Sequence, residues 1–386
     1  MANKTNYTMN GKEYFRISAS FGRDSNGKLI RKFFYGKNEK EAKQKLEEYK
    51  RSVDNGLVVD KKLFLYPIMH EWLFEIVSNN IKASTLDRYE DLFRNYIKPA
   101  PFAYKVIKDI QAIDIQKYYN ELYKSGKSYS RINRVNKILK YFLNFAINEG
   151  YTLRNPCLKV TIPGSKEVIK NEVETFSNEE LTKILNSNEE YLIKSISIIA
   201  FSTGMRVGEI LGLSENDIDI ENNRININQI VACYTEIDGD TRKKVKVLQT
   251  PKTKNSIRSI PLPNSIISIL AAAKTEKLKN KLKAGSSYNK KYDDLYFLTE
   301  NGNLLYPTNI TKSWKAFLNR LDIPYKKFHA LRHTYATMQF EARTPLKTVS
   351  KLLGHSKVDI TANTYTHVLK KEEEKAIDII SVLKMC

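Results

Sequence analysis

Apolar residues along this chain change their period twice, and such a chain cannot fold as one layer of one kind of element. Up to about residue 36 they alternate with polar residues. From about residue 64 to 160 they recur every three to four positions, and between 161 and 176 they follow no period at all. A period of two places side chains on opposite faces of a strand, whereas a period near 3.6 places them on one stripe of a helix. The chain therefore begins with a small sheet, continues as a helical segment, and resumes beyond the break as a further domain. Its 386 residues are too many for one ordinary core.

The first part, residues 1–60, reads as a module of its own. "GKEYFRISASFG" and "KLIRKFFYG" are strand-like, with a turn at "RDSNGK" between them, and the expected element is a three-stranded sheet. "NEKEAKQKLEEYKRSVDNG" then reads as an amphipathic helix, capped by Asn38 and closed by Gly56. Residues 1–62 hold eleven Lys and four Arg against eight acids, a net +7. Cationic strands of this kind suit a DNA groove, and Arg16 and Arg31 are the candidate contacts. A solvated basic face on an accessory domain is the simpler alternative.

Residues 64–160 read as a helical domain. "ASTLDRYEDLFRNYI" has Ser84 and Asp87 in capping-box spacing, with Leu86, Tyr89, Leu92, Phe93 and Tyr96 on one face. "SYSRINRVNKILKYFLNFAINEG" buries Ile132, Val135, Ile138, Leu139, Phe142 and Leu143. Arg131, Arg134 and Lys137 fall near the other side, where they could track phosphates or simply be solvated. Residues 161–176, with Pro, Gly and charge, read as a linker. From Ser177 to residue 386 a capped helix, an apolar helix, three strands around "RININQIVACY", "VKVLQT" and "SIRSIPL", and a helical close make up the largest domain. The fold class is thus multidomain, mainly α with small β-sheets.

Charge narrows the partners. The formal net charge is +21, with a pI near 9.5, and a balance that positive attracts polyanions, nucleic acid first among them. The three cysteines are far apart and form no C-x-x-C pair, so neither a disulfide framework nor a cysteine zinc site is indicated. The amino terminus lacks a signal-peptide pattern, and no apolar run approaches the ~18–20 residues of a membrane span. A soluble cytoplasmic protein is expected.

Four of the five histidines crowd into "HALRHT" and "GHSKVDITANTYTHVL". Arg206 in "STGMRVGEILGL" stands at a helix start, and Lys252 and Lys254 in "QTPKTKNSIRSIPL" stand in a turn between two strands. His329 and Arg332 are three apart on one helical face, and His355 and Tyr365 follow. Each is commonplace alone; together they fit cleavage of a phosphodiester without metal. Arginine forks hold the phosphate oxygens, a Lys or His gives a proton to the departing oxygen, and an accessible tyrosine forms a covalent ester. The rival is a metal site, since His329 and His333 stand at i, i+4. The position after the first His is Ala330 rather than Glu, and no carboxylate cluster accompanies the pair, so no metal and no other cofactor is expected.

"TGMRVGEILGL", "KTKNSIRSIPL", "HALRHTYAT", "LLGHS" and "TYTHV", in this order, resemble the catalytic domain of the tyrosine recombinases. The helical segment is similar to their core-binding domain, and more loosely the first module is similar to the arm-binding domain of conjugative-transposon and phage integrases. The resemblance implies that Arg206 and Arg332 clamp the scissile phosphate. Lys252, with Lys254 as runner-up, would protonate the leaving 5′ oxygen. His329 and His355 would assist, and Tyr365 would attack to leave a 3′-phosphotyrosyl link; Glu209 would steady the site. His333 and His367 fall outside the family's set and are left as structural. The resemblance further implies double-stranded DNA with core and arm-type sites as the partner, and a homo-tetramer on it. A host DNA-bending protein and an excision factor are the accessory partners it suggests, in a bacterial cytoplasm. Ile377, Ile380, Val382 and Leu383 in the tail could dock on a neighbouring protomer or fold back on their own domain. The rival functions are a topoisomerase-like relaxing enzyme or chromosome resolvase of the same fold, and a non-catalytic DNA-binding regulator.

Overall fold

The computed structural model describes residues 5–23, 29–54, 62–164, 173–188, 191–239, 241–251 and 253–366. The chain divides into two units, Met1–Lys166 and Glu167–Cys386. In the first, strands β1 (Tyr7–Met9), β2 (Lys12–Arg23) and β3 (Leu29–Gly36) form an antiparallel sheet in that order. β1 turns into β2 through Asn10 and Gly11, both at positive φ (53° and 73°), as a two-residue hairpin requires. Helix α1 (Glu39–Asp54) follows, and the Asn38 side chain accepts from the Glu41 N–H at 2.9 Å, the expected cap. The Tyr49 ring of α1 meets Phe21 and Phe34 at 4.7 and 5.3 Å, which fixes the face of the sheet that the helix covers. Gly56 and most of the turn at "RDSNGK" lie outside the described residues.

The helical segment contains α2 (Leu65–Glu71), which runs on through a π turn (Trp72–Val77), and α3 (Ala83–Leu92), which does likewise (Phe93–Ile97). Next come α4 (Ala112–Lys124) and α5 (Tyr129–Asn148). Its core is the apolar stripe of α5, with Ile132, Val135, Leu139, Phe142 and Leu143 fully buried and Trp72 edge-on to Phe142 at 5.4 Å. The capping box expected at Ser84 and Asp87 does not form. Lys82 is the extended N-cap, so Ser84 sits inside the first turn, and its buried hydroxyl has no hydrogen-bond partner. The linker expected at 161–176 is anchored at both ends: Thr161 exchanges hydrogen bonds with the Gln116 amide, and Phe176 is buried in the core of the second unit.

The second unit opens with α6 (Asn178–Asn186), whose Ser177 and Glu180 form a reciprocal capping box, and α7 (Tyr191–Thr203) and α8 (Val207–Leu211). Strands β4 (Ile218–Asp219), β5 (Arg224–Ile227) and β8 (Arg258–Pro261) pair as one sheet, and β6 (Ile230–Asp238) and β7 (Thr241–Gln249) as a separate hairpin. Two expectations are corrected here. "RININQIVACY" is not one strand, because Asn228 and Gln229 break it; their side chains donate to Asp217 Oδ1 (3.0 Å) and the Gly212 carbonyl (2.9 Å). The "TPKTKNS" stretch is not a hairpin turn either. It joins strands of different sheets, since β7 pairs with β6 and β8 with β5. Helices α9 (Asn264–Ala284), α10 (Pro307–Arg320), α11 (Ala330–Glu341), α12 (Leu346–Leu353) and α13 (Val358–Thr364) complete the unit. Trp314 of α10, fully buried, packs among Phe176, Phe317 and Phe328 at the centre of its core. His367 and the tail with Ile377, Ile380, Val382 and Leu383 lie outside the described residues.

Candidate active site

Arg206 is the N-cap of α8, held by a carboxylate one turn on. Its backbone N–H and its Nη1 donate to Glu209 Oε2 and Oε1 at 2.9 and 2.8 Å. The rest of its guanidinium has no partner among the described residues, and its side chain is 37% exposed, so a charged fork faces outward. Glu209 is itself buried and held by a second arginine, Arg258 of β8, whose Nη1 and Nη2 reach the two carboxylate oxygens at 3.1 and 2.9 Å. Burial alone would push the Glu209 carboxyl up; the charge and hydrogen bonds of Arg258, with help from Arg206, overcome it and hold it at about 2.

Arg258 also clasps the far side of the site. Its Nε donates to the Leu352 carbonyl at 2.7 Å, near the end of α12. Gly354 follows at φ 66°, where a Cβ would lie 2.9 Å from the Arg258 Cδ and Nη1. Only glycine suits that position, and it turns the chain so that His355 comes next. The His355 Nδ1 shares a hydrogen bond of 2.7 Å with Thr361 Oγ1. Asn255 donates to the Ser356 carbonyl at 3.2 Å, which ties the turn holding Lys254 to the His355 loop. Lys252 lies outside the described residues, as does the Lys254 side chain.

Arg332 is 2% exposed and spans the site from α11. Its Nη1 donates to the Gly204 carbonyl at 2.7 Å and its Nη2 to the Leu353 carbonyl at 2.5 Å, so it binds the approach to Arg206 and the approach to His355 together. His329 stands at the N-cap of α11, with its ring against that of His333. Desolvation of its ring, then the neighbouring His333, Arg332, Arg206 and His355, push its pKa down. Burial, then Arg332 and Arg206, likewise hold His355 at about 4. Arg206, His329, Arg332 and His355, drawn from three separate stretches of sequence, thus share one electropositive neighbourhood that suits a phosphate.

Tyr365 joins them in an unexpected state. The sequence implies an accessible phenol, but it is 1% exposed. Its ring lies with Ala336, Phe340, Val349 and Leu353, because the short α13 folds it back onto the apolar sides of α11 and α12. Burial pushes its pKa up, and the Arg332 charge works against that. The hydroxyl meets His333 Nδ1 at 2.7 Å. His333, structural by its sequence alone, is therefore part of the site, and the signal for it was its place one turn after His329. Arg258 was missed outright; a polar residue in a strand next to "KTK" carries no mark of the carboxylate it reaches. The rings of His329 and His333 meet edge-on at 4.8 Å and 87°, and among the described residues no three His, Cys, Asp or Glu group as a metal site.

The DNA-contact candidates lie in the first unit and differ in their surroundings. Arg16 and Arg31 are exposed on the sheet face opposite α1, where the register places Ser18 across from exposed Phe33 and Ser20 across from Arg31. Arg16 lies over the Tyr7 and Phe33 rings at 4.3 and 5.0 Å. Arg131 is tied to Asp91 at 3.2 Å, whereas Arg134 and Lys137 are exposed and unpaired among the described residues. No described helix is long and apolar enough to cross a membrane.

Comparison with known proteins places this geometry. Residues 173–372 match the model of the phage integrase family, and residues 65–123 match the phage integrase N-terminal SAM-like domain. A protein of Caldanaerobacter subterraneus subsp. tengcongensis named tyrosine recombinase XerC-like is 48% identical, over 99% of this chain and 100% of the relative. The structure of the Tn1549 transposon integrase in complex with transposon right end DNA has a TM-score of 0.64 at 19% identity, covering 81% of this chain and 99% of that one. A lambda integrase tetramer bound to a Holliday junction has a TM-score of 0.56 at 16% identity, covering 89% and 91%. At those identities the two structures speak for the fold. The family match and the 48% identical relative settle the rest: the chain belongs to the phage integrase family of tyrosine recombinases, enzymes of site-specific DNA recombination.

Proposed function

We propose that this recombinase integrates and excises a mobile element, and that Tyr365 is its nucleophile. The observation that carries the reading is that buried Arg332 bonds the Gly204 carbonyl two residues before Arg206 and the Leu353 carbonyl two residues before His355, while Tyr365 packs with Leu353 and meets His333, the residue after Arg332. In the reaction, Arg206 and Arg332 take the phosphate oxygens as negative charge builds on them, and Glu209 and Arg258 keep Arg206 aimed. The Tyr365 Oη–P bond forms as the P–O5′ bond breaks, and the phenol proton passes to the neutral His329 imidazole. The departing O5′ takes its proton from Lys252, with Lys254 two residues on as the runner-up, and His329 and His355 support the phosphate oxygens. The 3′-phosphotyrosyl ester keeps the energy of the diester, so a second 5′ hydroxyl reverses the step and reseals without a nucleotide cofactor.

The wider assembly follows the same reading. Residues 1–60 would bind arm-type sites through the face bearing Arg16, Arg31 and Phe33. Residues 64–160 would track core-site phosphates through Arg134 and Lys137. Recombination needs four cuts, so four protomers act on two duplexes; the lambda integrase neighbour is a tetramer bound to a Holliday junction. The basic module at residues 1–60, which resembles an arm-binding domain, favours a mobile element over a chromosome resolvase, and a host bending protein and an excision factor would set direction. The test is covalent trapping on nicked DNA carrying the element's ends, with chelator present, read on a denaturing gel. Wild type gives a DNA-linked band and Tyr365→Phe gives none; a band that survives in Tyr365→Phe assigns the attack to another residue.

A further inference from the structure

The buried state of Tyr365 needs an explanation, because a nucleophile that is 1% exposed cannot meet a phosphate. Its ring is gripped by apolar side chains, Phe340 among them at 5.4 Å. Apolar contacts alone would not hold a phenol there, since a buried hydroxyl without a partner is costly. The partner is His333, whose Nδ1 lies 2.7 Å from the Oη, with its ring 5.8 Å from that of the tyrosine. His333 stands on the same turn of α11 as Arg332, so the residue next to a phosphate clamp is the one that holds the nucleophile.

We propose that His333 is a positioning residue for the recombination reaction: it holds the Tyr365 hydroxyl in this buried seat until the segment carrying α13 moves. The inference rests on Tyr365 being the nucleophile. Burial and Arg332 keep His333 uncharged, so the bond joins two neutral groups, and in the tautomer with its proton on Nε2 the imidazole accepts from the phenol at Nδ1. Neutral hydrogen bonds are modest in net strength, so this one can be exchanged for contacts made outside the seat when DNA and neighbouring protomers are in place. Holding the hydroxyl by an imidazole rather than by packing alone makes the seat specific and the release cheap.

The test needs no DNA. The full-length protein is nitrated with tetranitromethane and the rate at each tyrosine is read by peptide mass. In wild type Tyr365 reacts among the slowest. His333→Leu keeps the bulk but removes the acceptor, and Tyr365 should then react about 5- to 100-fold faster, the factor expected when a buried hydroxyl loses its partner. The other tyrosines should keep their rates, which reports an intact fold. His333→Gln, whose amide oxygen can accept the same bond, should stay within about threefold of wild type. A wild-type Tyr365 rate in His333→Leu overturns the proposal, and so does equal exposure in the Leu and Gln variants. If His333→Leu does not fold, imidazole 15N spectra of wild type and Tyr365→Phe decide. The His333 Nδ1 resonance must shift when the hydroxyl is removed, and no shift is the contrary result. Trapping that survives Tyr365→Phe would sink the nucleophile assignment alone, since nitration reports the seat independently.

Discussion

Replacing Arg258 with methionine tests whether a buried carboxylate organises the site. Glu209 is 2% exposed and is held by two arginines. Arg258→Met removes the buried one and leaves Glu209 with Arg206, whose side chain is 37% exposed and screened by water. A carboxyl held at about 2 rather than at 4.5 draws roughly 3 kcal/mol from its partners. Breaking a buried pair by removing one member typically costs about 3–5 kcal/mol. For a unit spanning residues 167–386 that lowers Tm by roughly 6–20 °C. The assay is calorimetric melting of the full chain at several pH values, with Glu209→Gln and the double variant completing a cycle. Glu209 stabilises the folded state fully above pH 4.5 and loses that contribution as pH falls through about 2. The gap between wild type and Arg258→Met should therefore narrow below pH 4.5. In the cycle, Arg258→Met should cost far less when Glu209 is already neutral, with a coupling of about 2–3 kcal/mol. A gap independent of pH together with additive single variants would refute the reasoning. Arg258 would then act only through its bonds to the Leu352 and Ser256 carbonyls.

Other outcomes follow from the same geometry. Gly354→Ala forces a side chain into left-handed backbone and against Arg258; thermal melts should show a loss of about 2–3 kcal/mol, with trapping weakened by displacement of His355. Arg332→Lys cannot bridge the Gly204 and Leu353 carbonyls at once, and cleavage in single-turnover assays should fall at least about 100-fold. The histidines add a loss of stability at higher pH than Glu209 does. His333 and His355 are held at about 4 when folded against an ordinary 6.5, so their contribution is complete above pH 6.5 and is lost as pH falls toward 4. Melting temperature should drop over that window, and less steeply in His333→Gln. Arg134→Ala with Lys137→Ala should reduce the slope of log K for core-site DNA against log salt by about 1 for each phosphate left without its cation. Arg131→Ala should leave that slope nearly unchanged, because Asp91 already occupies the side chain.

Sequence showed the parts of this molecule whose logic is local. The stripe from Ile132 to Leu143 declares a helix and its buried face, and Ser177 with Glu180 declares where the next domain's first helix starts, because each involves residues within one or two turns. Ser84 misled because capping depends on where the chain leaves extended backbone, and Lys82, with nothing in its side chain to announce it, does so first. The strands misled for a related reason. "RININQIVACY" has the composition of one strand, and only the reach of Asn228 and Gln229 to distant acceptors divides it between two sheets. At the site the contrast is sharper. Arg206, His329, Arg332, His355 and Tyr365 were legible as a set because one reaction needs all of those types. What binds the set together was not: Glu209 meets Arg258 across 49 positions, and Tyr365 meets His333 across 32. A pairing at that separation is decided by strand order and helix packing, which no local pattern encodes. The same distance gives these two pairs their use. A site in which Glu209 and Tyr365 are each held by a residue from another element can be assembled or withheld by moving one element, and on the proposed assignment of Tyr365 as nucleophile α13 is the element that would move for it to reach a phosphate.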